Sequence, residues 1–129
     1  MRRSVTMITL GFLMACGGSG DACHQVLSLA QNEVNKVDSC GGDATAEKAA
    51  IVGFEDGGLQ NCEANIKNCT PADLNAVERA LNCDQALLSS ATCKCLTEAD
   101  PVSDPTCQQY VIDAFSCVGI VSSACHIGL

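Results

Sequence analysis

The run TPADLNAVERALNCDQALL, residues 70–88, gives the clearest structural signal in the sequence. Thr70 can accept hydrogen bonds from the free amides at a helix start, and Pro71 suits the first helical position because that position needs no amide donor. Asp73 places a negative charge at the positive end of the helix. The apolar residues Leu74, Val77, Ala80 and Leu81 follow at intervals of three and four, and Leu87 and Leu88 continue the stripe about two turns later. This spacing lines one helix face, so the run predicts an amphipathic helix.

The same helical period continues upstream of this run. One stripe ends before Gly41-Gly42, a pair that typically stops a helix. Its members are Cys23, Val26, Leu27, Ala30, Val34 and Val37. A second segment extends from Ala46 to Ile66, but its glycines predict a break or kink near Gly57.

The C-terminal third of the sequence predicts a loop and a last helix. The stretch Lys94–Pro105 contains two prolines and several acidic residues, which favour a loop. Asp104 or Thr106 then opens a helix whose expected inner face is formed by Val111, Ala114, Phe115, Val118, Val121 and Ala124. Strand patterns are nearly absent from the sequence. We therefore expect an all-α fold, a small disulfide-stapled bundle of about four helices.

Composition restricts the classes of function. A length of 129 residues favours one domain. The net charge of −8 argues against nucleic-acid binding, because phosphate-binding surfaces need clustered Lys and Arg. Aromatic residues make up 3% of the chain, so the core of the domain is expected to be modest in size.

The first fifteen residues have the order of a secretory signal peptide. Arg2 and Arg3 form a positive head, and an apolar run from Val5 to Met14 follows. This run is about half the length that a helix needs to cross a bilayer, which argues against a permanent span. We therefore expect a cleaved leader at residues 1–15 and a flexible tether at residues 16–20. The mature domain is then residues 21–129.

The end of the leader, Leu13-Met14-Ala15-Cys16, resembles the lipobox of bacterial lipoproteins. The resemblance implies that the Cys16 thiol receives a diacylglycerol, that cleavage occurs before Cys16, and that the new amine is acylated. The residue after the lipid cysteine is Gly17 and not aspartate, and this resembles the pattern of lipoproteins that are sorted to the outer membrane. Met14 departs from the commoner small residue at its position, and an ordinary leader with Cys16 in a disulfide is the alternative. As a whole the chain resembles small cysteine-rich bacterial lipoproteins.

The mature chain is expected to reach the membrane only through this lipid. Loss of Arg2 and Arg3 leaves 5 basic and 15 acidic side chains, a net charge of −10. Such a domain is repelled by anionic lipid and has no polybasic patch. Stable attachment then requires two or more acyl chains. The predicted location is the cell envelope, with the outer membrane favoured.

Cysteine content predicts a disulfide framework in an oxidising compartment. Eleven cysteines stand in the chain, and setting Cys16 aside leaves an even number. These ten are Cys23, Cys40, Cys62, Cys69, Cys83, Cys93, Cys95, Cys107, Cys117 and Cys125. We expect all ten to form five structural disulfides that compensate for the small core.

The connectivity is constrained only loosely by the sequence. Cys93 and Cys95 are separated by one residue, so they should reach different partners. A hairpin of the last two helices favours nested pairs. The expected set is Cys69–Cys125, Cys83–Cys117, Cys93–Cys107, Cys23–Cys62 and Cys40–Cys95.

Patterns for catalysis and metal binding are weak. Cys93-Lys94-Cys95 lacks the two-residue spacing of thioredoxin-like pairs, so structural disulfides are favoured over redox chemistry. His24 and His126 each follow a cysteine, but no knuckle spacing predicts zinc. The acidic residues Glu55, Asp56, Glu98, Asp100 and Asp104 lack the spacing of a calcium loop, and Ser89, Ser90, Ser122 and Ser123 stand in no nucleophile elbow. We predict no enzyme activity, no cofactor and no metal.

Two classes of function remain. The first is a non-enzymatic structural or interaction module, tethered to the membrane at the cell envelope. The second is a carrier of an apolar ligand, because small helical disulfide proteins such as plant lipid-transfer proteins and elicitins enclose a cavity. The chain shares their Cys-x-Cys element but lacks the adjacent cysteine pair of the transfer proteins. An internal apolar cavity of about 300 Å³ or more would distinguish the carrier.

Overall fold

The first helix ends where the glycine pair predicts. The computed structural model describes residues 20–119 and 122–125 of the chain. Helix α1 spans Gly20–Ser39. It stops because Gly41 adopts a left-handed conformation with φ of 75°, which turns the chain so that the amide of Gly42 donates to the carbonyl of Val37 at 2.9 Å. This geometry satisfies a carbonyl at the helix end.

The second segment has the predicted kink. Helix α2 spans Thr45–Gly53 and helix α3 spans Leu59–Asn65, with a wide helical turn, Phe54–Gly58, between them. Backbone angles depart from helical values at Gly57, so the expected position of the kink is confirmed. A 3-10 turn, Ile66–Asn68, follows α3. The kink lets Phe54 enter the core while α2 itself buries no side chain.

Helix α4 spans Pro71–Ser90 and begins with the predicted cap. The Thr70 hydroxyl accepts the amide of Asp73 at 3.2 Å, and the Asp73 carboxylate accepts the amide of Thr70 at 2.9 Å. This reciprocal capping box satisfies two amides that the helix leaves free. Val77, Ala80 and Leu81 of the predicted stripe are buried.

The C-terminal third differs from the sequence prediction in two places. The expected loop at Lys94–Pro105 overlaps a short helix α5, Cys93–Thr97, which the Thr92 hydroxyl caps. Helix α6 spans only Gln108–Ser116, and a 3-10 turn follows at Ser123–Cys125. Helix α6 ends early because the chain next approaches the backbone of α4, where a Cβ on Gly119 would lie 3.1 Å from the carbonyl oxygen of Ala76.

The prediction that Phe115 and Val118 face inward is also wrong. Phe115 is 70% exposed and Val118 is 46% exposed, whereas Val111 and Ala114 are half-buried. Two disulfides fix the rotation of α6, because Cys107 before the helix and Cys117 after it both turn toward the domain interior. Two further residues were expected on this face. Val121 lies outside the described residues, and the side chain of Ala124 is not among the parts that the structure describes.

The two long helices run parallel. The side-chain amide of Asn32 on α1 donates to the side-chain oxygen of Gln85 on α4 at 3.4 Å. The Lys36 ammonium donates to the carbonyls of Leu88 and Ser89, with a distance of 3.1 Å to the second. A cation at the C-terminus of α4 also complements the negative end of its dipole.

The core lies between α1 and α4 and is closed by the kinked segment and α5. Its buried members are Cys23, Val26, Leu29, Phe54, Cys62, Val77, Leu81, Leu88 and Leu96. A smaller cluster of Val34, Val37 and Ala44 joins the end of α1 to α2. Within residues 20–119 and 122–125 there is no strand, and the prediction of an all-α, disulfide-bonded fold is confirmed. No helix in this part of the chain is both long and apolar enough to span a bilayer.

Candidate functional site

Five disulfides join all ten cysteines of the expected framework. The pairs are Cys23–Cys62, Cys40–Cys93, Cys69–Cys125, Cys83–Cys117 and Cys95–Cys107. Four of the bridges close loops of 34 to 56 residues, and Cys95–Cys107 closes one of 12. Long closed loops restrict the unfolded chain most. The framework therefore ties α1, α3, α4 and α5 to segments that are distant in sequence, whereas α2 contains no cysteine.

Three of the five expected pairs are present, and the assignment of Cys93 and Cys95 is wrong. The sequence favoured Cys93–Cys107 and Cys40–Cys95, whereas the two cysteines of α5 have exchanged partners. The reason is the helix at Cys93–Thr97, which directs residues two apart to opposite sides. Cys95 turns inward to the fully buried Cys107, and Cys93 remains on the outside near the end of α1.

We expect a double digest to distinguish the two pairings. Cleavage of the unreduced protein after Lys94 and after Glu98 releases residues 95–98 as a short peptide that contains Cys95. In this fold that peptide stays linked to the peptide containing Cys107. Mass spectrometry that finds it linked to the Cys40 peptide would contradict the structure. Cleavage after Lys94 alone does not suffice, because both pairings then link the same peptides.

The Cys-x-Cys element does not form a dithiol pair in this structure. Lys94, which stands between the two cysteines, instead binds Asp104 at 2.8 Å and donates to the Thr106 hydroxyl at 2.7 Å. Lys94 is the main cause that lowers the pKa of Asp104 to about 2, with hydrogen bonds from Thr106 contributing. These contacts join the two ends of the loop that the Cys95–Cys107 disulfide closes. The lysine therefore stabilises this loop and has no thiolate beside it to stabilise, because both neighbouring cysteines are in disulfides.

The other residues considered for catalysis or metal binding lie apart. His24 lies 3.5 Å from Glu63 on α3, and His126 is outside the described residues. The acidic side chains of Glu98 and Asp100 accept amides of their own loop. Across the part of the chain that the structure describes, no group of three or more His, Cys, Asp or Glu side chains could hold a metal ion.

The serines have structural partners. The Ser89 and Ser90 hydroxyls donate to carbonyls of α4. Ser122 contributes both its amide, at 2.8 Å, and its hydroxyl, at 2.7 Å, to the carboxylate of Asp73. Hydrogen bonds from the Ser122 amide first, and then from Thr70 and the Ser122 hydroxyl, lower the pKa of Asp73 to about 2. One carboxylate thus caps α4 and also fastens the C-terminal segment to it.

The fold also contains a buried group of carboxyls that was not predicted from the sequence. Glu33 of α1 is 6% exposed, and Glu47 of α2 and Asp84 of α4 lie close enough to act on it electrostatically. Burial, with smaller effects of Glu47 and then Asp84, raises the pKa of Glu33 to about 7. Burial raises the pKa of Asp84 to about 6. Burial, and then the negative charges of Glu33 and Asp84, raise the pKa of Tyr110 on α6.

Among the residues that the structure describes, Oε2 of Glu47 is buried without a hydrogen bond. A signal for the group was present in the sequence, because Glu33 continues the apolar spacing of Val26, Leu29 and Val37 and so lies on the buried face of α1. Burial at such a position disfavours the charged form of a carboxyl group and so raises its pKa.

The described residues therefore supply a disulfide framework, a buried acidic group and an exposed apolar stretch on α6. Cys16, the predicted lipidation site, lies outside them. No family model, no curated protein and no solved structure matches this chain.

Proposed function

We propose that the chain is a lipid-anchored, non-enzymatic structural or interaction module of the bacterial cell envelope. The observation that carries the proposal is the Leu13-Met14-Ala15-Cys16 sequence at the end of an apolar leader. A lipobox cysteine is the attachment point for the acyl chains. The anchor then holds the domain at the membrane without any polybasic surface.

The disulfide framework supports export to an oxidising compartment. All ten cysteines from Cys23 to Cys125 are bonded to one another, so none of these ten is available to pair with Cys16. Stable disulfides are typical of proteins outside the reducing cytosol. Five bridges use ten of the eleven cysteines, which leaves Cys16 for the proposed lipid attachment.

The roles of the polar side chains support a non-enzymatic module. Ser122 and Asp73 hold the C-terminal segment, and Lys94 and Asp104 close a loop. Each of these groups satisfies another group of the fold. Of the four, only Asp73 is buried, and internal hydrogen bonds of this kind are an ordinary structural role of polar residues.

We expect Cys16→Ala to release the protein from membranes. The variant has an unchanged export signal but lacks the thiol that would accept diacylglycerol, so the mature domain has no acyl anchor. The measurement is membrane fractionation combined with the intact mass of the mature chain. Ser19→Ala is the matched control, since it changes the tether and leaves the lipobox unchanged.

The mass separates the outcomes. A wild-type chain that begins at Cys16 and has acyl mass supports the proposal. Membrane attachment and acylation that persist in Cys16→Ala would show that the lipid is elsewhere, and a wild-type chain without acyl mass would remove the lipoprotein assignment. Additional non-covalent mass on the released domain would favour the carrier of an apolar ligand instead.

A further inference from the structure

Helix α6 has an exposed apolar surface. Ile112 is 60% exposed, Phe115 is 70% exposed and Val118 is 46% exposed. Ile112 and Phe115 are three residues apart and so share one side of α6, and Val118 follows in the segment directly after the helix. We call these three residues the α6 stripe. Large apolar side chains grouped in this way are typical of surfaces that contact a partner or a membrane.

The helices and one disulfide give the distance of the stripe from the anchored end of the domain. Asn32 and Gln85 are neighbours on the parallel helices α1 and α4, and twelve residues earlier on each helix are Gly20 and Asp73. The start of α1 is therefore level with the start of α4. Cys117, which lies between Phe115 and Val118 in the sequence, is bonded to Cys83, about 15 Å along α4 from Asp73 at 1.5 Å per residue.

The tether is shorter than this distance. From Cys16 to Gly20 the chain spans at most about 14 Å when fully extended. A domain held that closely at one end stays near the bilayer, so its surfaces near the start of α1 meet the lipid more readily than its far end. The stripe is within reach when the domain lies along the surface, and the tether keeps its effective concentration at the bilayer high.

Charge favours this side of the domain. The mature chain has a net charge of −10, but residues 108–119 contain a single charged side chain, Asp113. That carboxylate accepts a hydrogen bond from the Gln109 side chain at 2.8 Å. Most of the acidic surface is repelled by anionic lipid, whereas this segment presents apolar and amide groups.

We propose that the α6 stripe inserts into the interface of the membrane that holds the lipid anchor. The proposal rests on the proposed function, because the short tether is what brings the stripe to the bilayer. The anchor supplies attachment, and the stripe fixes which side of the domain faces lipid. The opposite surfaces of α1 and α4 are then presented to the aqueous side.

The sequence contains no tryptophan, so one introduced indole reports its own surroundings. The test uses the lipidated protein with Phe115→Trp in phosphatidylcholine vesicles, with and without brominated acyl chains. An indole buried by about 5–10 Å should lose at least half of its emission to the bromines. Val52→Trp is the matched control, because Val52 is 54% exposed on α2 and outside the stripe, and its indole should not be quenched.

The outcomes separate this inference from the proposed function. A lipidated chain whose Phe115→Trp indole is quenched no more than the Val52→Trp indole overturns the membrane contact alone. A chain without acyl mass overturns the anchor and the contact together. Blue-shifted emission that depends on protein concentration in a Cys16→Ala, Phe115→Trp chain without lipid would show that a second copy covers the stripe, which also overturns the inference.

Discussion

Full reduction of the five disulfides is expected to unfold the helical domain near neutral pH. Each bridge typically contributes 2–4 kcal/mol, so five at the low end contribute on the order of 10 kcal/mol. Domains of this size have total stabilities of about 5–15 kcal/mol. The main core cluster contains one aromatic residue among its buried members, Phe54, and cannot compensate for such a loss.

The measurement is far-ultraviolet circular dichroism before and after reduction, with thiols blocked to prevent reoxidation. Helical signal should fall to that of a largely unfolded chain. Thiol titration of the denatured, unreduced protein should find none of the ten cysteines from Cys23 to Cys125 free. Two or more free thiols, or a helical spectrum that survives reduction, would contradict the structural role of the framework.

Two matched variants test how the bridges stabilise the domain. Cys23→Ala with Cys62→Ala opens a loop of 39 residues, and Cys95→Ala with Cys107→Ala opens one of 12. If restriction of the unfolded chain dominates, the first pair loses about 1 kcal/mol more stability than the second. Equal losses would indicate that native-state packing around the sulfurs dominates instead.

Local signals in the sequence predicted most of the fold. The Thr70 cap, the stop at Gly41-Gly42 and the kink at Gly57 each depend on residues within a few positions, so the pattern contains the cause. The three correct disulfides also followed from the order of the helices. Features that depend on contacts between distant segments were predicted less well.

The rotation of α6 is the clearest example. Its sequence places Tyr110, Val111, Ile112, Ala114 and Phe115 around most of the helix, so periodicity does not select one face. The disulfides of Cys107 and Cys117 determine which face of α6 is buried. Their partners, Cys95 and Cys83, lie outside α6, so the sequence of the helix alone does not predict its rotation. The exchange of Cys93 and Cys95 has the same origin, because the direction of each sulfur depends on a five-residue helix hidden by the proline- and acid-rich sequence after it.

The buried carboxyl of Glu33 leads to the last prediction, in which stability falls as pH rises through neutrality. The pKa of Glu33 is raised from 4.5 to about 7 in the fold. Well below pH 4.5 the side chain is protonated in both the folded and the unfolded chain, so it makes no pH-dependent contribution to the free energy of unfolding. Between 4.5 and 7 the unfolded chain releases the proton more readily, so stability decreases as pH rises. Above pH 7 the loss is complete at about 3 kcal/mol.

Glu33→Gln should remove this loss, because the amide has nearly the same size and is never charged. The variant should be more stable than wild type by about 3 kcal/mol at pH 9. That difference should shrink toward zero at pH 4, apart from a constant offset for the altered hydrogen bonding. The measurement is denaturant unfolding with the disulfides intact, across pH 4 to 9. Glu78→Gln on the exposed face of α4 is the matched control and should follow the wild-type curve.

Asp84→Asn tests whether the group acts as a unit. Burial raises the pKa of Asp84 to about 6, and its charge contributes to the raised pKa of Glu33. Removing that charge should therefore lower the pKa of Glu33, so the stabilisation by the two substitutions together should be less than the sum of the single effects. Additive effects would show that the two carboxyls titrate independently. Wild-type and Glu33→Gln curves that remain parallel from pH 4 to 9 would show that Glu33 is charged and solvated in the fold, and would contradict its burial against α4.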